Sequence, residues 1–233
     1  MFELVLSSPG RNALGTRLME SVLAKLDEAG GAPVLLTGEG PAFSAGLDLK
    51  EVAALDLPGA EAFLGVLERM VDKLYRYPGP TVALVNGHAI AGGCVLALAC
   101  DARVANTSLS ARLGLNEVAL GLQFPPSILD LVRRRVPPQH LETVVLGAAL
   151  HLPEEAKQLG LLDSVVGDAR AHALAMVQAL GAHPPAAYAA AKRALRPALA
   201  GRPDEVRAFR EEGMASWVSP ELKATIARMF DRR

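Results

Sequence analysis

An α/β fold whose strands are covered on both faces, ending in a helical C-terminal region, is the architecture this sequence of 233 residues predicts. Three observations carry it. Over the first half, short apolar runs of strand length alternate with stretches whose apolar residues recur at helical spacing, the order expected when helices cross over between strands. The strand-like runs are apolar almost throughout rather than alternating, as in strands buried on both faces. Beyond about residue 125 nearly every segment favours helix.

Taken in order, residues 2–6 (FELVL) form the first strand, and 14–28 set Leu18, Val22, Leu23 and Leu26 on one face of an amphipathic helix. Residues 33–37 (PVLLT) are a second strand, 60–75 a helix and 80–86 a third strand. After a glycine-bearing turn, 94–99 are helical and 101–105 return as strand. Further on, 129–136, 141–146, 153–159, 170–180, 185–195 and 203–217 favour helix, with one further strand at 162–166. A boundary near residues 165–185 divides the chain into a core, 1–180, and a helical C-terminal region, 181–233. The apolar faces of that Ala-rich region call for a partner subunit.

The charge balance, 24 basic against 25 acidic residues, supplies no field to draw the chain to nucleic acid or an anionic membrane. The opening residues combine neither a basic leader nor a long apolar core, so secretion is not expected. The richest apolar stretch, 89–100, is interrupted by two glycines and is too short to span a bilayer. Cys94 and Cys100 lie six apart on one expected helix and point to different faces, which argues against a disulfide or a metal pair. They read as buried thiols in a reducing, cytoplasmic setting. Neither G-x-G-x-x-G nor a phosphate loop occurs.

Two segments, GEGPAFSAGLDLKEV at 38–52 and NGHAIAGGCVLALACD at 86–101, each run from a strand through small residues into a helix. N–H groups at such turns have no helical acceptor, and the helix dipole adds partial positive charge. Two of them can aim at one oxygen and stabilise an oxyanion, each donor contributing on the order of 3 kcal/mol in the transition state. On spacing alone the glycines are better explained by close packing of a helix on a sheet.

The motifs F-S-A-G-L-D-L at 43–49, N-G-x-x-x-A-G-G-C-x-L-A-L-x-C-D at 86–101 and G-L-N-E-x-x-L-G at 114–121 resemble the enoyl-CoA hydratase/isomerase (crotonase) superfamily. A trailing signature at 146–165 extends the likeness, and the wording is closest to Δ3,Δ2-enoyl-CoA isomerases of mitochondrial type. The resemblance implies a crotonase-like spiral of ββα units with a C-terminal helical region that assembles homotrimers, sometimes paired into hexamers. It implies an acyl-CoA thioester as substrate, as in fatty-acid β-oxidation, with no cofactor beyond that coenzyme A and no metal. Carried onto this chain, the oxyanion hole is the N–H of Ala45 and the N–H of Gly92. Ala45, Gly46, Leu47, Asp48, Leu49 and Gly92 are the substrate-binding residues.

Hydratases of the superfamily use two glutamates. The first of those positions is Val95 here and the second is Glu117. One carboxylate suffices for a 1,3-proton shift, so the resemblance implies an isomerase with Glu117 as its catalytic residue, a hydratase being the alternative. Val95, Leu120, Leu122 and Phe124 are expected to line the pocket and raise the Glu117 pKa by desolvation. Asp48 is expected to cap the following helix, Asp101 to be structural and His88 to be a packed loop histidine. Arg133, Arg134 and Arg135 read as a helix surface; Arg11 and Lys50 are further candidates for phosphate contact. Trp217, Phe209 and Met214 are expected to pack within the C-terminal helices rather than meet substrate.

Overall fold

The structure is a computed structural model that describes residues 1–231, so the last two residues of the 181–233 region lie outside the described residues. Eight strands form, β1 (Phe2–Leu6), β2 (Val34–Gly38), β3 (Ala42–Ser44), β4 (Thr81–Val85), β5 (His88–Ile90), β6 (Ala102–Asn106), β7 (Leu113–Gly114) and β8 (Ser164–Val166). They build two sheets, a five-stranded one in the order β1-β2-β4-β6-β8 and a three-stranded one in the order β3-β5-β7. Every pairing within them is parallel.

Each central strand of the large sheet hands over to a strand of the small one, β2 to β3, β4 to β5 and β6 to β7, before the chain turns into helix. The result is a repeated ββα unit wound about a main core, with a smaller apolar cluster where Leu35, Val82, Leu84 and Val104 meet the helix Ala169–Gly181. Strands β2 and β4 are buried at every residue, which is why their sequences are apolar without alternation. The helix Gly92–Ala99 is buried at every position as well, so the apolar stretch around it belongs to the centre of the molecule. No helix among the described residues is long and apolar enough to cross a membrane.

The small sheet has no counterpart in the expected elements, because strands of two or three residues are too short to show a period. The helix Leu57–Tyr75 begins ahead of its expected start at 60, with Asp56 Oδ1 accepting the Gly59 N–H at 2.9 Å and Pro58 in the first turn. The stretch 203–217 is not one helix: Pro203–Ala208 passes through a π-helical turn at Phe209–Gly213 into Met214–Ser216.

Asp101 joins the C-terminal helices to this core. Its Oδ2 accepts from the Thr81 N–H at 2.7 Å, the Tyr188 hydroxyl at 2.9 Å and Lys192 Nζ at 2.9 Å, while Oδ1 pairs with Arg196 at 2.9 Å. Arg196 also donates to the carbonyls of Tyr75 and Ala99. Burial pulls the Lys192 ammonium below its ordinary pKa, and the Asp101 carboxylate opposes that shift.

Candidate active site

A cavity of about 340 Å³ opens where the small sheet meets the helices, and Ala45, Leu47, Gly92, Val95 and Glu117 all line it. Three consecutive residues, Gly10, Arg11 and Asn12, are in left-handed backbone, and the first two of them line one edge. For Arg11 and Asn12 that conformation is costly, and the Asn12 side chain holds it by donating to the carbonyls of Ala42 at 2.8 Å and Glu39 at 3.0 Å. This turn presents the Arg11 carbonyl to the Ala45 N–H, which donates to it at 3.0 Å.

That bond corrects the expected pair of donors. The Ala45 N–H already has an acceptor, so it is not free for a ligand oxygen. Next along the loop, Leu14 clamps the chain on either side of Leu47, its N–H donating to the Gly46 carbonyl at 2.7 Å and its carbonyl accepting from Asp48 at 3.1 Å. Between them the Leu47 N–H has no acceptor among the described residues, and neither does the Gly92 N–H. The two residues are neighbours, since a Cβ built on Gly92 would lie 3.1 Å from Leu47 Cδ2. Ala91, forced to φ +48 and anchored by its N–H to the Gly114 carbonyl at 2.8 Å, turns the chain sharply into the helix that Gly92 begins.

Gly46 does not reach the cavity. It is small for another reason: its φ is +91 and a Cβ there would stand 2.7 Å from the Ile90 carbonyl oxygen. The loop is thus pressed against β5. Gly93 likewise admits the Ser44 carbonyl, 2.4 Å from where its Cβ would be. Asp48 and Leu49 line the cavity; the Asp48 carboxylate also caps the helix Leu49–Ala54 through the N–H groups of Lys50 and Glu51.

Glu117 follows β7 at the start of the 3₁₀ turn Val118–Leu120, and its carbonyl accepts the N–H groups of Leu120 and Leu122. Its side chain is buried, with Oε2 lacking any partner among the described residues. Burial raises its pKa from 4.5 to about 7. Val95, Leu120, Leu122 and Phe124 share the cavity with it. The Cys94 thiol is pushed up to about 12, first by burial and then by the Glu117 charge. Asn116 Oδ1, also in the cavity wall, is the other buried acceptor there without a partner.

His88 reaches the cavity with its Nδ1 accepting the Arg112 N–H at 3.0 Å, leaving Nε2 to carry the ring proton. Arg11 and Lys50 also line the cavity, whereas the arginine run is engaged elsewhere. Arg133 pairs with Glu205, Arg134 with Asp130, and Arg135 is turned inward to the carbonyls of Leu98, Cys100 and Asp101. Among the described residues no His, Cys, Asp and Glu side chains gather as metal ligands. Trp217 is buried in the core, as its expected packing requires, and it also lines the cavity, as do Met229 and Phe230 of the helix Pro220–Asp231. No motif flagged these residues, which come to the site only through tertiary packing.

The family described as Enoyl-CoA hydratase/isomerase matches residues 2–226. A Thermus thermophilus protein carrying an enoyl-CoA hydratase name is 36% identical over 236 residues, covering 96% of this chain and 91% of that one. The 2,3-dehydroadipyl-CoA hydratase of Escherichia coli is 32% identical over 200 residues, covering 83% and 77%. Among solved structures, the human mitochondrial delta3-delta2-enoyl-CoA isomerase superposes with a TM-score of 0.84 at 26% identity, covering 97% of this chain and 90% of that one. An enoyl-CoA hydratase/isomerase family protein from Pseudomonas syringae gives 0.77 at 26% identity, covering 97% and 91%.

Proposed function

The chain belongs to the enoyl-CoA hydratase/isomerase family, and we propose that within it this protein is a Δ3,Δ2-enoyl-CoA isomerase. The observation that carries the reading is the carboxyl of Glu117, the one buried acid among the described residues, with Val95 on the same cavity wall where a hydratase of the superfamily carries its other glutamate. The likeness to the human isomerase supports it.

In the proposed reaction a 3-enoyl-CoA lays its thioester oxygen against the N–H groups of Leu47 and Gly92, which form the oxyanion hole. Stabilising the oxygen as charge develops on it makes the C2 proton acidic. Ionised Glu117 takes that proton, electrons move through C2 and C3, and the dienolate accepts the proton back at C4. The C3–C4 double bond becomes a C2–C3 double bond, and Glu117 ends as it began. A pKa near 7 suits both halves, since the group must accept a proton and then release it at neutral pH. Arg11 and Lys50 are the basic side chains at hand for the coenzyme phosphates. Assembly into a homotrimer or a dimer of trimers belongs to the same proposal and is supported by exposed Leu146 and Leu195, apolar surface that a partner would cover.

The hydratase names of several relatives favour a second reading, water addition to a 2-enoyl-CoA. One assay separates the two. With 3-hexenoyl-CoA the conjugated thioester absorbance rises for an isomerase, whereas crotonyl-CoA loses that absorbance under a hydratase. Rapid loss with crotonyl-CoA and no gain with 3-hexenoyl-CoA would reject the isomerase.

A further inference from the structure

We propose that Trp217 sets the length of acyl chain the cavity accepts, an inference that rests on the acyl-CoA reading above. Trp217 is the lone tryptophan of the sequence and is 2% exposed, yet it contributes to the wall of the cavity that holds Glu117. Its position is locked from both sides. The indole Nε1–H donates to the Gln123 carbonyl at 3.1 Å, and the neighbouring Ser216 Oγ accepts the Gln123 N–H at 3.4 Å while donating to the Gly213 carbonyl at 2.6 Å.

Gln123 sits between Leu122 and Phe124, both in the cavity wall, and Leu122 is hydrogen-bonded back to Glu117. The C-terminal segment therefore grips the loop that leads away from the catalytic carboxyl, and the indole is part of that grip. Swinging the ring aside would leave a buried N–H without its acceptor. An unbranched side chain such as Met229 can bend around an incoming chain; a pinned aromatic plane cannot. Leu67 and Ile128 complete the wall from the helices Leu57–Tyr75 and Pro126–Arg135.

A chain growing toward Trp217 gains affinity by about fourfold per buried methylene until its terminus meets the ring, and then stops gaining. The test uses the wild-type protein and saturated acyl-CoA thioesters from butyryl to palmitoyl, which bind without turnover. Calorimetry reads affinity, and tryptophan emission in the same samples reads one site. Expected is unchanged emission with coenzyme A and the shortest chains, and a first change in emission at the length where the affinity gain ends. Trp217→Leu should carry the fourfold steps on to longer chains, and Trp217→Phe by less. Emission constant across every chain that binds, or fully changed by coenzyme A alone, overturns the proposal; should Trp217→Leu fail to fold, this wild-type series still decides. Acyl-CoA binding and isomerisation with constant emission reject only the role of Trp217, whereas no binding at any length rejects the function as well.

Discussion

Glu117→Gln separates the cost of burying an ionised carboxyl from its use. Burial lifts the Glu117 pKa from 4.5 to about 7, and at ~1.4 kcal/mol per unit the ionised form costs the fold about 3 kcal/mol. The folded chain holds this proton more tightly than the unfolded chain. The associated stability is therefore complete below pH 4.5 and is lost as the pH rises to about 7. Glutamine has nearly the same shape and no charge, so the wild type and variant should differ little near pH 4.5. The variant should then pull ahead, the gap widening by about 2.5 kcal/mol between pH 5 and pH 8. Urea unfolding of both proteins at the two pH values measures this, with equal denaturant slopes as the internal control. The amide cannot take a proton, so turnover of 3-hexenoyl-CoA at pH 8, where the wild-type carboxyl is ionised, should fall by at least roughly 10²-fold. A stability gap that does not change with pH would refute the buried, raised carboxyl, and near-normal turnover would refute its role as base.

For the wild type, kcat/KM should rise with pH through about 7, because the ionised carboxyl is the acceptor; a rise confined to the ordinary carboxylate range would contradict the desolvated site. Gly46→Ala puts a Cβ 2.7 Å from the Ile90 carbonyl at a φ of +91, costing roughly 1–3 kcal/mol by thermal unfolding and displacing the Leu47 N–H, so turnover should fall more than stability does. Asp101→Ala strands Lys192 and Arg196 in a buried setting; a loss of about 3–5 kcal/mol and faster protease cleavage within 185–231 are expected, and a loss under 1 kcal/mol would mean these pairs are not desolvated. Val95→Glu supplies a second carboxyl in the cavity and should raise crotonyl-CoA hydration above the wild-type rate, measured by loss of thioester absorbance.

By itself the sequence determined the parts whose physics is local. Continuous apolar runs such as Val34–Gly38 mark strands buried on both faces, helical spacing marks the helix Thr16–Ala29, and Asp48 announces the start of the helix it caps. Ordered motifs singled out Glu117 and the two small-residue turns as candidates, and residues of all three line one cavity. The tertiary structure alone decided the rest. The small sheet, with strands of two or three residues, exists through parallel backbone pairing between distant segments, and no periodicity encodes it. Which amide of the first turn stays free depends on a strained turn at Arg11 offering its carbonyl to Ala45, which leaves the Leu47 N–H as the one without an acceptor among the described residues. Trp217 stands in the cavity wall because Gln123 holds its indole, although the two are far apart in sequence. Hydrophobic pattern and capping act over one or two turns of chain, whereas the satisfaction of a single N–H depends on whatever oxygen the folded chain brings within about 3 Å.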